Sequence, residues 1–221
     1  MDGWALFVDT FFKPALIERY LPDIIKGFFV TIEVAVLVVL CGIALGLVLA
    51  VIRSYRIRAL NVLIVIFVDM FRALPPLVVI LLFYFGLPNV GIVMSNFVVL
   101  WLVLTLVLAA FAEEIFWAGI LSVRQGQWEA ARSTGLGYGQ TLAYVVLPQA
   151  VRMTVPPLTN RTIAITKNSA LGTVIGVGEI LNVVRKLDGG VDEVQTPGRA
   201  FGLDRQALDL DRQARQTGAK R

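Results

Sequence analysis

FFVTIEVAVLVVLCGIALGLVLAVI, Phe28 to Ile52, decides the fold. It carries one charge, Glu33 near its start, and is otherwise almost wholly Val, Leu, Ile, Ala and Gly. In a helix, about 20 such residues cover roughly 30 Å, the hydrocarbon thickness of a bilayer. The stretch therefore reads as a membrane span. Gly42 and Gly46 form a G-x-x-x-G pair on one face, which permits close helix contact but is a weak signal in apolar sequence. Cys41 is the single cysteine and lies inside the run, so it reads as a small packing residue and no disulfide within the chain is open to it.

Outward from this span, the next residues are RSYRIR, with Arg53, Arg56 and Arg58 in one short loop. Arginines so placed mark the cytoplasmic side and put the N-terminal segment outside. Residues 1–27 mix Trp4, Phe7, Phe11, Phe12 and Tyr20 with charges of both signs, which reads as an interfacial amphipathic segment broken near Pro14 and Pro22. The first apolar run is too long, and lacks the short basic start, for a cleavable signal peptide. Ala59 to Leu87 is a second span running outward, broken at Pro75-Pro76. Asp69 and Arg72 sit three apart on one face of it and can pair. Charges at that depth face a bundle interior or an aqueous cavity, or form a structural ion pair. Pro88 to Asn96 has no Lys or Arg, consistent with outside, and Phe97 to Ala112 starts a third span, returning inward, with Glu113 and Glu114 following where the apolar run ends. Ser122-Val123-Arg124-Gln125 matches a capping box, a pattern that also arises by chance.

Gln127 to Asn160, QWEAARSTGLGYGQTLAYVVLPQAVRMTVPPLTN, holds the one polar interruption long enough to fold outside the apolar bulk. Glu129 to Thr134 reads as a short helix with its glutamate in the first turn, where the helix dipole favours an anion. Ala130 and Ala131 leave the backbone open to close approach by another protein, and Gly135 can take the left-handed conformation that ends a helix. Tyr144 to about Leu181 should return across the membrane as a fourth span. Pro148, Pro156 and Pro157 break it, and Arg152, Arg161 and Lys167 charge it, so neighbouring helices must shield it.

The totals agree with a membrane protein. The 221 residues are 57% hydrophobic and 16% charged, with a mean hydropathy of +0.76. The absence of histidine removes the commonest general base and metal ligand. No P-loop, zinc-type cluster or nucleophile elbow is present, and the basic residues are not interleaved with aromatics as in nucleic-acid binders. A membrane-embedded enzyme would have to rely on carboxylates such as Glu113 and Glu114, which point about 100° apart on a helix.

Glu129-Ala130-Ala131, then Gly135, then Val145-Val146-Leu147-Pro148 resembles the EAA loop (here 127–148) of permease subunits of ATP-binding-cassette importers, with nine residues between Gly135 and Val145. DMFRALPPLVVILLFYFGLP (69–88), EEIFWAGILSVRQGQ (113–127) and ITKNSALGTVIGVGEIL (165–181) are similar to stretches of the polar amino-acid (histidine/glutamine permease-like) branch. Trp117 stands where that branch usually has arginine, Asn168 replaces an acid, Ser169 a threonine and Ala170 a serine. The resemblance covers roughly residues 25 to 184. It implies an all-α, multi-span helical bundle with a cytoplasmic coupling helix, its permease domain over 28–184. It implies a chain that is not itself an enzyme and holds no cofactor, with ATP and magnesium on a separate ATPase. Glu129, Ala130, Ala131, Gly135 and Leu136 would contact that ATPase. Arg72, Glu114, Thr159, Asn160 and Lys167 would serve the pathway or its gate. The other implied partners are a second permease subunit, identical or homologous, an extracytoplasmic solute-binding protein, a polar amino acid and membrane lipid, in a bacterial inner membrane.

The family crosses once more after the glutamate matched by Glu179. Here residues 182–221 hold eight Lys or Arg and six acids and no run apolar enough to span, so four spans are recognisable and the fifth is missing. Residues 185–221 read as a polar, disordered or diverged tail, which alternation would leave outside, against the positive-inside rule. A truncated or frame-shifted, inactive permease, and a channel or scaffold subunit that needs no ATPase, are the alternatives.

Overall fold

The computed structural model describes residues 14–178, with side chains from residue 21. The expectations for residues 1–13, for a fifth span and for the tail at 185–221 lie outside the described residues. Two compact units are separated, Phe29–Glu179 and the remainder, Met1–Phe28 with Ile180–Arg221. In the second unit the described part is the opening of the first helix, where Lys26 pairs with Asp23 at 4.0 Å on an exposed surface.

Helix α1 is Pro14–Ser54, 41 residues without interruption. Pro14 opens it, a position that needs no amide N–H. The break expected near Pro22 does not occur. A proline removes one backbone bond, and the bonds on either side carry the helix past it. Helix α2 is Arg58–Ala73 and α3 is Pro76–Gly86, and the two are bent by 104°. Here the prolines do act as expected. Leu74 precedes Pro75 and is extended (φ −92°, ψ 136°), because the ring of Pro75 excludes the helical region for its predecessor. Pro76 then opens α3. A 3-10 turn, Leu87–Val90, leads into Gly91 at φ 83°.

Helix α4, Asn96–Ser122, is the axis of the unit. Ser95 Oγ accepts from the Val98 amide at 3.4 Å and caps its start. The third span starts as expected, and past the apolar run that stops at Ala112 the helix continues through Glu113 and Glu114 to Ser122. The two carboxylates find cationic partners, so polarity does not end it. Leu100, Leu104 and Leu108 are fully buried, and α4 packs on α2, α3 and the later helix α7. Its neighbours form two apolar clusters. One gathers Val34, Val38, Val68, Phe71 and Ile80 around the first half of α4. The other gathers Ala50, Ala112, Phe116, Ile120, Leu142 and Ala150 around its second half.

Helix α5 is Gln125–Ser133 and α6 is Tyr138–Thr141. A π-helical turn, Leu142–Val146, leads into α7, Leu147–Lys167, and a 3-10 turn, Asn168–Ile175, follows. Pro148, Pro156 and Pro157 do not break this segment. Pro148 sits in the first turn of α7, and the wide π-turn before it makes room for its ring. Pro156 and Pro157 lie inside an unbroken helix. Two helices of the described residues, in α1 and α4, are long and apolar enough to cross a membrane, or three spans if the bent α2–α3 pair is one. With 21 residues α7 is long enough, but its arginines, lysine and prolines make it too polar to meet that measure alone.

Candidate functional site

The polar interruption folds beneath the ends of α1 and α4. Ser122 is not a capping residue: its hydroxyl donates to the Gly119 carbonyl at 2.7 Å, and α5 starts behind Arg124 without a side-chain cap. Because α5 begins at Gln125, Glu129 is in its second turn and not its first. The dipole argument therefore does not apply to it, and its carboxylate instead accepts from Gln125 Nε2 at 2.9 Å. Glu129 and Ala130 are exposed, Leu136 is half-buried, and Ala131 is buried against the chain's own core. Of the two alanines, only Ala130 is thus open to another protein. Helical periodicity decides this, since adjacent positions face about 100° apart.

Gly135 ends the α5 turn at φ 89°, as its position implied. A Cβ there would meet nothing within 4 Å, so the cost of a side chain is conformational alone. Gly135→Ala is expected to lower stability by about 1–2 kcal/mol, and Gly135→Asn by less, in denaturant unfolding of the purified chain.

Aromatic rings tie α5 to the arginine loop. Trp128 stacks on Tyr138 (centroids 5.3 Å, 27° between planes), and Tyr138 meets Tyr55 at 5.6 Å. The Tyr138 hydroxyl donates to the Ser54 carbonyl at 2.6 Å, closing a carbonyl left open at the end of α1. At the residue before Ser54, Arg53 Nη1 donates to both oxygens of Glu113 at 3.1 Å. Glu113 has no exposed surface, and the Arg53 guanidinium lies 4.9 Å over the ring of Trp117. The tryptophan at the family's arginine position thus receives a cation from α1.

Arg72 pairs with Glu114 across α2 and α4, and not with Asp69, which is exposed and pairs with no described residue. Asp69 is nearer in sequence but points out of the unit. Arg72 also lies over the ring of Phe111, at 5.4 Å, and Arg161 of α7 lies over the same ring. Arg72 and Glu114 are thus brought together. Thr159, Asn160 and Lys167 are exposed on α7, and among the described residues no hydrogen bond or ion pair joins them to that pair. Thr159 donates to its own helix, at the Val155 carbonyl (2.8 Å). The adjacent carboxylates Glu113 and Glu114 diverge to different arginines and form no acid–base pair. No group of three or more Cys, Asp or Glu among the described residues could hold a metal ion.

Sequence reasoning used Arg53 only for orientation and did not single out Glu113, Trp128 or the Tyr138 hydroxyl as structural ties. The one available signal was a carboxylate set in an otherwise apolar helix, which needs a cation.

Residues 42–186 match the family described as the binding-protein-dependent transport system inner membrane component. The chain belongs to this family. It is 34% identical over 178 residues to the "Probable glutamine ABC transporter permease protein GlnP" of Bacillus subtilis, covering 80% of this chain and 82% of that one. It is 35% identical over 170 residues to the "Glutamate transport system permease protein GluC" of Corynebacterium glutamicum, covering 72% and 75%. Among solved structures it is similar to an amino acid ABC transporter described with histidines, with a TM-score of 0.71 and 28% identity over 93% of this chain and 97% of that one. The MetNI methionine ABC transporter shares the fold, with a TM-score of 0.63 at 21% identity over 76% and 82% of the two chains. The chain is therefore a transport component of a membrane, built as a helical permease.

Proposed function

We propose that this chain is the membrane-spanning permease subunit of an ATP-binding-cassette importer that moves a polar amino acid into the cytoplasm of a bacterial cell. The observation that carries the reading is the short helix α5, exposed at Glu129 and Ala130 and tied through Trp128 and Tyr138 to the ends of the spanning helices. A separate ATPase, holding ATP and magnesium, grips that helix. When two such ATPases close, α5 is pulled, and the Tyr138–Ser54 bond and the second apolar cluster pass the pull to α1, α4 and α7. Ala130, Gly135 and Leu136 shape the contact, and Ala131 anchors it from within.

The amino-acid substrate is supported by relatives named for glutamine and glutamate transport. Delivery falls to an extracytoplasmic solute-binding protein, as the family's description as binding-protein-dependent supports. The exposed Thr159, Asn160 and Lys167 of α7 support a second permease subunit beside this helix. Polar groups at that depth need a protein neighbour or an aqueous pathway rather than lipid. The Arg72–Glu114 pair on the same bundle supplies the gate.

The test is uptake of a labelled polar amino acid, with affinity capture of the full chain from its own membranes. An ATP-binding-cassette ATPase is expected to co-purify. Glu129→Lys is expected to cut uptake by roughly tenfold or more, because a reversed charge at an interface costs several kcal/mol. Capture that brings down no ATPase, together with unchanged uptake in the variant, would end the reading.

A further inference from the structure

A cavity of about 790 Å³ opens between the end of α1, the end of α4 and helix α5. That lies within the roughly 300–1,000 Å³ of small-molecule sites. Its walls include the rings of Tyr55, Trp117, Trp128 and Tyr138, the apolar side chain of Leu121 and the guanidinium-bearing Arg56. The arginines at the end of α1 differ in their partners. Arg53 is engaged by Glu113, whereas Arg56 forms no ion pair with any described residue. Arg56 is also the one described non-glycine residue with a positive φ, 57°. Side-chain-bearing residues take that conformation rarely, and it persists where the surroundings hold it in place. Here it turns the RSYRIR corner sharply enough to bring Arg56 to the cavity.

We propose that this cavity binds the phosphate headgroup of an anionic phospholipid from the cytoplasmic leaflet. Three features agree on that occupant. The corner sits where a span gives way to arginine-rich loop, the level of the headgroups. A guanidinium presents two parallel N–H donors that match a phosphate, and basic pockets between helix ends on the cytoplasmic side suit anionic headgroups. The apolar half of the lining, with Leu121 58% exposed, gives the lipid's glycerol and upper acyl chain a surface that a soluble phosphate does not use. Tyrosine and tryptophan rings are the side chains that sit at this boundary. Since Trp128 and Tyr138 belong to both the cavity wall and the α5 tether, the bound lipid braces α5 against α1. The inference does not depend on the ATPase reading, only on the membrane span.

Fluorescence quenching tests it. The full chain carrying Trp4→Phe and Trp101→Phe keeps Trp117 and Trp128, both in the cavity wall. It is placed in phosphatidylcholine bilayers containing a low fraction of dibrominated phosphatidylglycerol or of dibrominated phosphatidylcholine. The anionic lipid is expected to quench about threefold more, and to saturate, as a discrete basic pocket requires. Arg56→Gln is expected to bring the two lipids level, while Arg56→Lys retains part of the preference. Arg132→Gln, exposed on α5 outside the lining, is expected to retain all of it. Equal quenching by the two lipids overturns the proposal, as does a preference that Arg56→Gln leaves unchanged or that both glutamine variants reduce alike. Loss of the preference on adding soluble glycerol phosphate would assign the site to free phosphate esters and overturn the lipid assignment.

Discussion

Glu113→Ala is expected to destabilise the chain by about 3–5 kcal/mol, the usual cost of removing one partner of a buried ion pair. Glu113 is wholly buried and accepts twice from Arg53, so its loss leaves a guanidinium without its counter-charge between α1 and α4. Two features place the effect toward the lower end. The Arg53 side chain retains 20% exposure, and the ring of Trp117 beneath it still attracts the cation, worth about 0.5–1 kcal/mol. The pair's net worth is a separate matter. Arg53→Met with Glu113→Leu removes both charges and their desolvation together, and such replacements are often neutral. The double variant is therefore expected to be more stable than Glu113→Ala alone, a non-additivity that a double-mutant cycle reads directly. Denaturant unfolding of the purified chain in micelles, followed by tryptophan fluorescence, measures both. A double variant no better than the single one would show that the cost comes from lost packing and not from an orphaned charge.

That ion pair also marks the boundary of what the sequence could disclose. Length and apolarity announced the spans of α1 and α4, because any helix of that composition has few places other than a bilayer. The bend at Pro75 and the left-handed Gly135 were legible for local steric reasons, and local sterics are written in adjacent residues. Partners distant in sequence were not. Arg53 and Glu113 are 60 residues apart, and nothing in the sequence reports their meeting. Proximity along the chain suggested Asp69 for Arg72, yet the packing of α2 on α4 delivered Glu114. The prolines of α7 misled for a related reason. A proline's effect depends on what surrounds the weakened turn, and in α7 a π-turn and neighbouring helices absorb it. The face of α5 that Ala131 occupies likewise depends on where that helix starts. That start was expected four residues later, at Glu129, because nothing local marks Gln125: α5 begins behind Arg124 with no side-chain cap.

The largest effect is expected at Gly46, in a motif whose sequence signal was weak. A Cβ on Gly46 would stand 2.6 Å from the Ala112 Cβ, 2.9 Å from the Ala109 carbonyl oxygen and 2.9 Å from the Glu113 amide nitrogen. Two of those three atoms are backbone of α4, which cannot rotate away, so α1 must move as a body. The contrast is Gly42, where the three nearest atoms a Cβ would meet all belong to the Leu108 side chain, at 2.9 Å. Overpacking of this kind costs about 1–3 kcal/mol per site, whereas the gain in helix propensity from glycine to alanine is about 1 kcal/mol at most. Gly46→Ala should therefore be net destabilising, and more so than Gly42→Ala. Gly46→Leu adds three further carbons to a gap already closed, and it should prevent the folded chain from accumulating in membranes. One of the obstructing atoms is the amide nitrogen of Glu113 itself, so moving α1 away from it also pulls Arg53 from the Glu113 carboxylate. Gly46→Ala and Glu113→Ala should then combine to less than the sum of their separate costs, since the first already loosens what the second removes. Unfolding midpoints for the two glycine variants and the pair decide the matter. A Gly46→Ala chain as stable as the parent would mean that α1 and α4 do not touch at this glycine.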